Sequence, residues 1–302
     1  MKRALLLMSL IALVTCHPKE EKPKTPANYE SEVLKWRANR LTRLTADDSW
    51  LTLVGLFWLH DGTNHFGSDA TKNDVVMPAK APAECGTITL ANGKVTLEPA
   101  TAMTIGGKPV SGATELLPDS DPNGPTVVQL GTMRFHIIKR GARYGIRAKD
   151  PENEARTHFK GLDYFPVDPK WRIEAKFEPY NPPKKVAIVD VLGQTNEETS
   201  PGAIVFTVDG QTVRIDPILE QGAKDFFIII KDATSRDATY PAGRYLYASP
   251  PGPDGKVIVD FNKAYNPPCA FTPFATCPLP PPQNRMPFRI EAGEKKYAGG
   301  HH

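Results

Sequence analysis

The densest cluster of side chains able to do chemistry lies late in the chain. Asp232, Tyr240 and Arg244 fall in DATSRDATYPAGR. Asp260, Asn262, Tyr265 and Asn266 precede a proline-rich stretch that holds Cys269 and Cys277, and Glu291 and Glu294 close the region. Two carboxylates facing each other across a cleft are the minimal kit for glycoside hydrolysis. A planar guanidinium beside an aromatic ring, as Arg244 and Tyr240 would supply, suits an anion or a sugar. Each feature also has a plainer reading. Acidic residues at turns commonly pair with neighbouring cations, here Arg236, Arg244, Arg285 and Arg289, and Tyr240 fits a buried turn tyrosine equally well.

The cysteines leave alternatives open. A Cys269–Cys277 disulfide would close a small loop, and two buried thiols would serve as packing. A nucleophilic Cys269 would need a base within hydrogen-bond reach, whereas His17, His60, His65, His136, His158, His301 and His302 are all distant in sequence. The Cys-x7-Cys spacing lacks the tight step of a zinc pair, so no metal is implied. No glycine-rich phosphate loop, Gly-x-Ser-x-Gly elbow or His-Glu-x-x-His occurs, and no cofactor is implied. With Cys16 set aside, Cys85 is the odd thiol.

The elements that must position these residues begin behind a leader. Lys2 and Arg3 precede the apolar run Ala4–Val14, which has the length of a signal-peptide core and is too short to span a bilayer. Leu13-Val14-Thr15-Cys16 resembles the lipobox of bacterial lipoproteins, with Thr15 where Gly or Ala is usual. The resemblance implies acylation of Cys16, export, and a partner in the membrane of the cell envelope. An ordinary secretory signal cleaved nearby is the alternative. Residues 1–15 are thus the signal peptide, and 16–27 a proline- and charge-rich linker. Without Lys2 and Arg3 the formal charge falls from +3 to +1, which gives no electrostatic case for a nucleic-acid partner.

The remainder is mainly β, as two packed β-rich halves of sandwich- or barrel-like type behind one N-terminal helix. The helix is expected over Tyr29–Thr45, where Val33, Leu34, Leu41 and Leu44, with Trp36, share a side against the sheet that follows. Residues 28–150 hold this helix and a β-sandwich. Strands are expected at Thr52–Leu59, Val75–Met77, Val127–Leu130 and Met133–Lys139, and Asn92-Gly93 marks a hairpin. The order of Gly67-Ser68, Asn73-Asp74, Asn92-Gly93 and Gly106-Gly107 resembles the strand-and-turn layout of forkhead-associated domains. The glycine-arginine step of their phosphothreonine site is Gly67-Ser68 here, so the likeness implies fold alone. Residues 151–302 form a C-terminal β-rich domain with strands at Trp171–Phe177, Lys185–Val191, Ala203–Val208, Thr212–Ile215, Phe226–Lys231, Tyr245–Ala248 and Lys256–Phe261. No helix of three turns is expected after residue 45.

The words YNPPC (265–269) and ATCPLPP (275–281) are long and unusual. On them the chain resembles the bacterial family called domain of unknown function 1684, from Ser49-Trp50-Leu51 to Glu294. That resemblance implies a family and no activity. The leading expectation is an envelope-anchored lipoprotein that binds a small molecule or glycan through residues 232–294. One rival is a hydrolase using the carboxylates there, or Cys269. Another is a structural or protein-interaction lipoprotein. A loop over Asp260–Arg285 that lines an open pocket would favour binding or catalysis, and a loop lying flat would favour the last.

Overall fold

Alternation of apolar and polar residues builds the first half. In the computed structural model, which describes residues 25–299, eleven short strands form two sheets. They are β1 (Leu53–Trp58), β2 (Gly62–Gly67), β3 (Val75–Val76), β4 (Gly86–Ala91), β5 (Lys94–Pro99), β6 (Thr104–Ile105), β7 (Lys108–Pro109), β8 (Thr114–Glu115), β9 (Val128–Leu130), β10 (Met133–Arg140) and β11 (Arg143–Lys149). One sheet runs β1-β11-β10-β9-β6-β7 and the other β3-β2-β4-β5-β8. Between them pack Phe66, Ile88, Leu97, Phe135, Ile137 and Ile146, with Phe66 and Phe135 edge to face at 5.7 Å. The β4–β5 hairpin turns on Asn92 and Gly93, both at positive φ (52° and 75°), as a tight twisted turn requires. Cys16, the leader and most of the linker lie outside the described residues.

The second half has β12 (Arg172–Val189), β13 (Thr195–Val208), β14 (Gln211–Ile215), β15 (Phe226–Ile230), β16 (Arg244–Ala248) and β17 (Lys256–Asp260). A four-stranded sheet ordered β14-β13-β12-β17 packs on the β15–β16 pair, and Phe206, Ile228, Leu246, Val259 and Phe261 lie in the core. The protein is therefore mainly β, with no closed barrel among the described sheets. The two strands expected at Trp171–Phe177 and Lys185–Val191 are one strand. Pro179, Pro182 and Pro183 donate no hydrogen bond, so the ladder to β13 lapses between Pro179 and Lys184 and then resumes. Between the halves, the connector holds the single turn α2 (Glu154–Thr157), capped by Asn153, whose side chain accepts from the Ala155 N–H at 3.4 Å, and a 3-10 turn at Pro169–Trp171.

The helix α1 (Tyr29–Leu44) corrects one expectation. It lies on the C-terminal half, not on the sheet that follows it in sequence. Tyr29 and Val33 are buried near its start, whereas Leu34 and Leu41 stay largely exposed. The attachment is polar. Tyr29 Oη donates to Asp260 Oδ1 at 2.7 Å, and Arg37 Nη2 donates to the Phe165 carbonyl at 3.0 Å. At the end of the helix, Leu44 forms a small cluster with Leu51, Ala270, Phe271, Phe159 and Tyr297, which joins the two halves.

Core and helix surface should respond to truncation very differently. Phe135→Ala is expected to cost about 3–5 kcal/mol in chemical denaturation. Leu34→Ala should stay within about 0.5 kcal/mol. A comparable loss from Leu34→Ala would show that the exposed side of the helix is covered in solution.

Candidate functional site: a groove between the halves

Prolines between 267 and 282 cannot join a sheet as donors, so the loop after β17 is held by the few N–H groups it has. Leu279 N–H donates to the Val189 carbonyl at 2.7 Å, and the Cys277 carbonyl accepts from Val191 N–H at 2.9 Å. These bonds dock the loop on the end of β12. Tyr245 Oη donates to the Pro278 carbonyl at 2.7 Å, and Tyr240 Oη to the Cys269 carbonyl at 2.9 Å. Further along, the Asn284 side chain donates to the carbonyls of Asp216 and Ile229, both at 3.0 Å. The loop thus covers strand ends, and its outer edge also faces an opening.

Most polar residues picked out by sequence are structural supports. Asp232 and Arg244 form a buried ion pair at 3.4 Å, with Asp232 Oδ2 also accepting from Ile290 N–H and Arg244 donating to the Ile290 and Ala292 carbonyls. Burial pulls the Arg244 guanidinium below its ordinary range, with Asp232 opposing. Asp260 accepts from Tyr29 and from Asn262 N–H. Asn262 donates to Tyr29 Oη and to the Asp168 carbonyl. Asn266 donates its side-chain amide to the Lys295 carbonyl.

Glu294, with no exposed surface, gathers three parts of the chain. It accepts from Arg40 Nε of the helix at 2.9 Å, from Asn266 N–H of the loop at 2.8 Å and from Tyr164 Oη of the connector at 3.4 Å. Gly293 beside it sits at φ +78°, and a Cβ there would lie 2.4 Å from the Ala264 carbonyl, so the turn that aims Glu294 inward admits only glycine without strain.

Of the polar candidates Asp232, Tyr240, Arg244, Asp260, Asn262, Tyr265, Asn266 and Glu294, Tyr265 alone lines the opening. This is a groove of about 890 Å³ between the two halves. The C-terminal half contributes Phe227, Tyr245, Tyr247 and Tyr265. The loop contributes Pro268, Phe271, Thr276, Cys277 and Pro278. The helix and the first sandwich contribute Trp36, Arg40, Arg43, Trp50, Arg140 and Lys149. Tyr247 and Tyr265 are near-parallel (16°) with ring centres 6.3 Å apart, and Arg40 lies 4.8 Å over the Tyr265 ring. A smaller cleft of about 360 Å³ adjoins, sharing Arg140, Glu220, Phe227, Thr276 and Pro278. It holds Glu198, whose carboxyl is pushed up by burial first and then by Glu220.

The loop cysteines meet at the groove wall. Cys269 N–H donates to Cys277 Sγ at 3.1 Å, and both are free thiols here. Contact with Cys277 draws the Cys269 thiol down, while the same contact and burial push Cys277 up. Cys85 lies far off in the first core, pushed up to about 11 by burial.

Sequence reasoning missed Trp50, Arg140, Lys149, Tyr245 and Tyr247. The signal available for the cations was their period of two along β10 and β11, which sets them on one sheet face.

Two outcomes follow from these placements. Glu294→Ala leaves Arg40 and the Asn266 N–H without their anion, and a loss of about 3–5 kcal/mol is expected by thermal or chemical unfolding. Among Cys85, Cys269 and Cys277, iodoacetamide should label Cys269 first near neutral pH. A lowered pKa means more thiolate at a given pH, so its labelling rate should climb at lower pH than that of an ordinary thiol. Equal labelling of Cys85 and Cys269, by mass spectrometry of peptides, would contradict the placement.

Residues 157–295 match the family described as "Protein of unknown function (DUF1684)". An uncharacterized protein of Haloarcula marismortui, with a structure solved in solution by NMR, is 29% identical over 49% of this chain and 82% of its own, at a TM-score of 0.41. No curated protein matches. The matched segment holds β12 through Glu294, and with it the whole proline-cysteine wall of the groove. It is this C-terminal half, residues 157–295, that matches the DUF1684 family of proteins of unknown function.

Proposed function

We propose that this is an exported lipoprotein, tethered to a membrane through Cys16, that binds a small molecule or glycan in the groove between its halves. The observation that carries the reading is the groove itself. Its volume of about 890 Å³ falls in the range that takes a small ligand, and a third of its lining residues are aromatic. Trp50 and Tyr247 are 36% and 52% exposed there, large rings partly open to solvent. Sugars and planar compounds stack on such faces, and the side-chain polar groups around them supply orientation. The loop that carries the family's unusual words forms one wall. The polar candidates behind it hold that wall in place.

A hydrolytic reading has one observation in its favour. The raised Glu198 carboxyl beside Glu220 holds its proton more firmly than usual, as a general acid must. Asp232, Asp260 and Glu294 are committed to buried partners, so a hydrolase would work through the adjoining cleft instead.

Trp36 and Trp50 both line the groove and serve as built-in reporters. Titrating oligosaccharides and small planar compounds against the full chain should change the tryptophan emission for at least one class. Tyr265→Ala and Tyr247→Ala should each weaken that binding about tenfold, the ~1.4 kcal/mol of a stacking contact. Binding indifferent to both substitutions would place the ligand elsewhere, and turnover of the bound compound would favour the hydrolytic reading.

A further inference from the structure

The outer face of β10 and β11 carries an unusual charge pattern. Strand register sets Arg134 opposite Lys149, His136 opposite Arg147, and Arg140 opposite Arg143. These residues point away from the sandwich core, since the alternating Phe135, Ile137, Ile146 and Ala148 fill it. Like charges directly across a ladder repel, and five cations share this face.

Among the described residues little compensates them. Asp119 takes Arg140 at 2.8 Å, and Asp48 lies near Lys149. Arg134 and Lys149 otherwise reach only backbone carbonyls, those of Asp47 and Asp48. Arg147 is 5% exposed and has no carboxylate partner among the described residues. Its Nη2 approaches Thr276 Oγ1 at 3.4 Å, its Nε has no partner, and it lies 5.3 Å over Trp50. Burial, with Arg140 beside it, draws this guanidinium down to about 10. Burial and the neighbouring Arg147 and Lys149 bring His136 down to about 4, so the ring is neutral at neutral pH. The other acidic groups of the groove, Glu220 and Asp225, belong to the C-terminal half, with Glu220 near Tyr247.

This face meets the groove. Arg140 and Lys149 line it, and Thr276, which also lines it, accepts from Arg140 Nε at 3.1 Å and faces Arg147. We propose that the Arg140, Arg147 and Lys149 corner is an oxyanion site that takes the phosphate of a small phosphorylated ligand, whose remaining body lies on the tyrosine wall. The proposal rests on the groove being the ligand site. Over the whole face five cations against Asp48 and Asp119 leave an excess of about three charges, one of them at the Arg140, Arg147 and Lys149 corner, and the charged oxygens of a phosphate monoester offset it. Arginine forks match the tetrahedral oxygens in pairs, and Lys149 adds a point charge. The same chemistry is offered by a soluble ester and by a phospholipid headgroup.

Phenyl phosphate is the first probe, with benzyl alcohol as its neutral counterpart, titrated calorimetrically into the full chain. Phenyl phosphate should bind and benzyl alcohol bind at least tenfold more weakly. Arg147→Met should weaken phenyl phosphate at least tenfold, and without ligand it should melt no lower than the parent, because it removes a repulsive charge. Lys149→Met, at a more exposed position, should weaken binding several-fold and guards against a misfolded Arg147 variant. Capture by phosphatidic-acid vesicles, lost in Arg147→Met, together with no binding of phenyl phosphate would assign the site to a lipid headgroup. Affinity unchanged in both cation variants overturns the oxyanion site. If Tyr265→Ala still weakens the same compound, the groove stands and only its anion corner falls. If none of the three variants matters, both readings fall.

Discussion

The arrangement of this protein turns on one buried carboxylate. Glu294 has no contact with solvent, and a carboxylate taken out of water is tolerated only when its oxygens are fully engaged. They are engaged by a helix arginine, a loop N–H and a connector tyrosine. Three segments far apart in sequence are therefore pinned to one point. The helix is held on the C-terminal half by this contact and by Tyr29–Asp260, with less help from apolar burial, since Leu34 and Leu41 face outward. Because the helix end and the loop are fixed there, Trp36, Tyr265 and Phe271 are brought to the edge of the same opening. The groove is a consequence of how the buried charges are satisfied.

The Asp232–Arg244 pair does similar work deeper in the same half. Arg244 is wholly buried and spends its remaining donors on the Ile290 and Ala292 carbonyls, next to the Gly293 turn. Removing either partner would leave an unpaired charge in the core, whereas an apolar pair of equal volume is often neutral. Here the pair selects one path for residues 288–294, and that path delivers Glu294 to Arg40. The two ion pairs act in series along a short stretch of chain.

Much of the fold was legible in the sequence because local rules decide it. The Asn92-Gly93 and Asp209-Gly210 turns, the helix from Tyr29 and the apolar run of β15 all stand where turn chemistry and periodicity put them. Strand β12 was legible only in halves, since a proline run that breaks a ladder looks the same in sequence as one that ends a strand. The site was less legible for a different reason. Polar residues beside a rigid, proline-rich loop stand out to the eye, but such a loop lacks its own hydrogen bonds and must borrow them. Asn262, Asn266, Asn284 and Glu294 are the lenders. The groove's other wall comes from β11 and Trp50, more than a hundred residues away, and no local pattern links the two.

A sheet face that sets Arg134 against Lys149 and Arg140 against Arg143 works against folding. Its partial remedies are aromatic. Arg143 lies 4.0 Å over Trp58 and Arg147 5.3 Å over Trp50, contacts that ease a cation's desolvation without neutralising it. A folded chain commonly keeps such a cost where function needs the strain. Packing alone would favour apolar residues on a half-covered strand face, and solubility alone would favour cations on an exposed one. Arg147 satisfies neither, being buried and, among the described residues, without a carboxylate partner. It lies against the loop of the other half, so charge, aromatic surface and the proline-cysteine wall meet at one place.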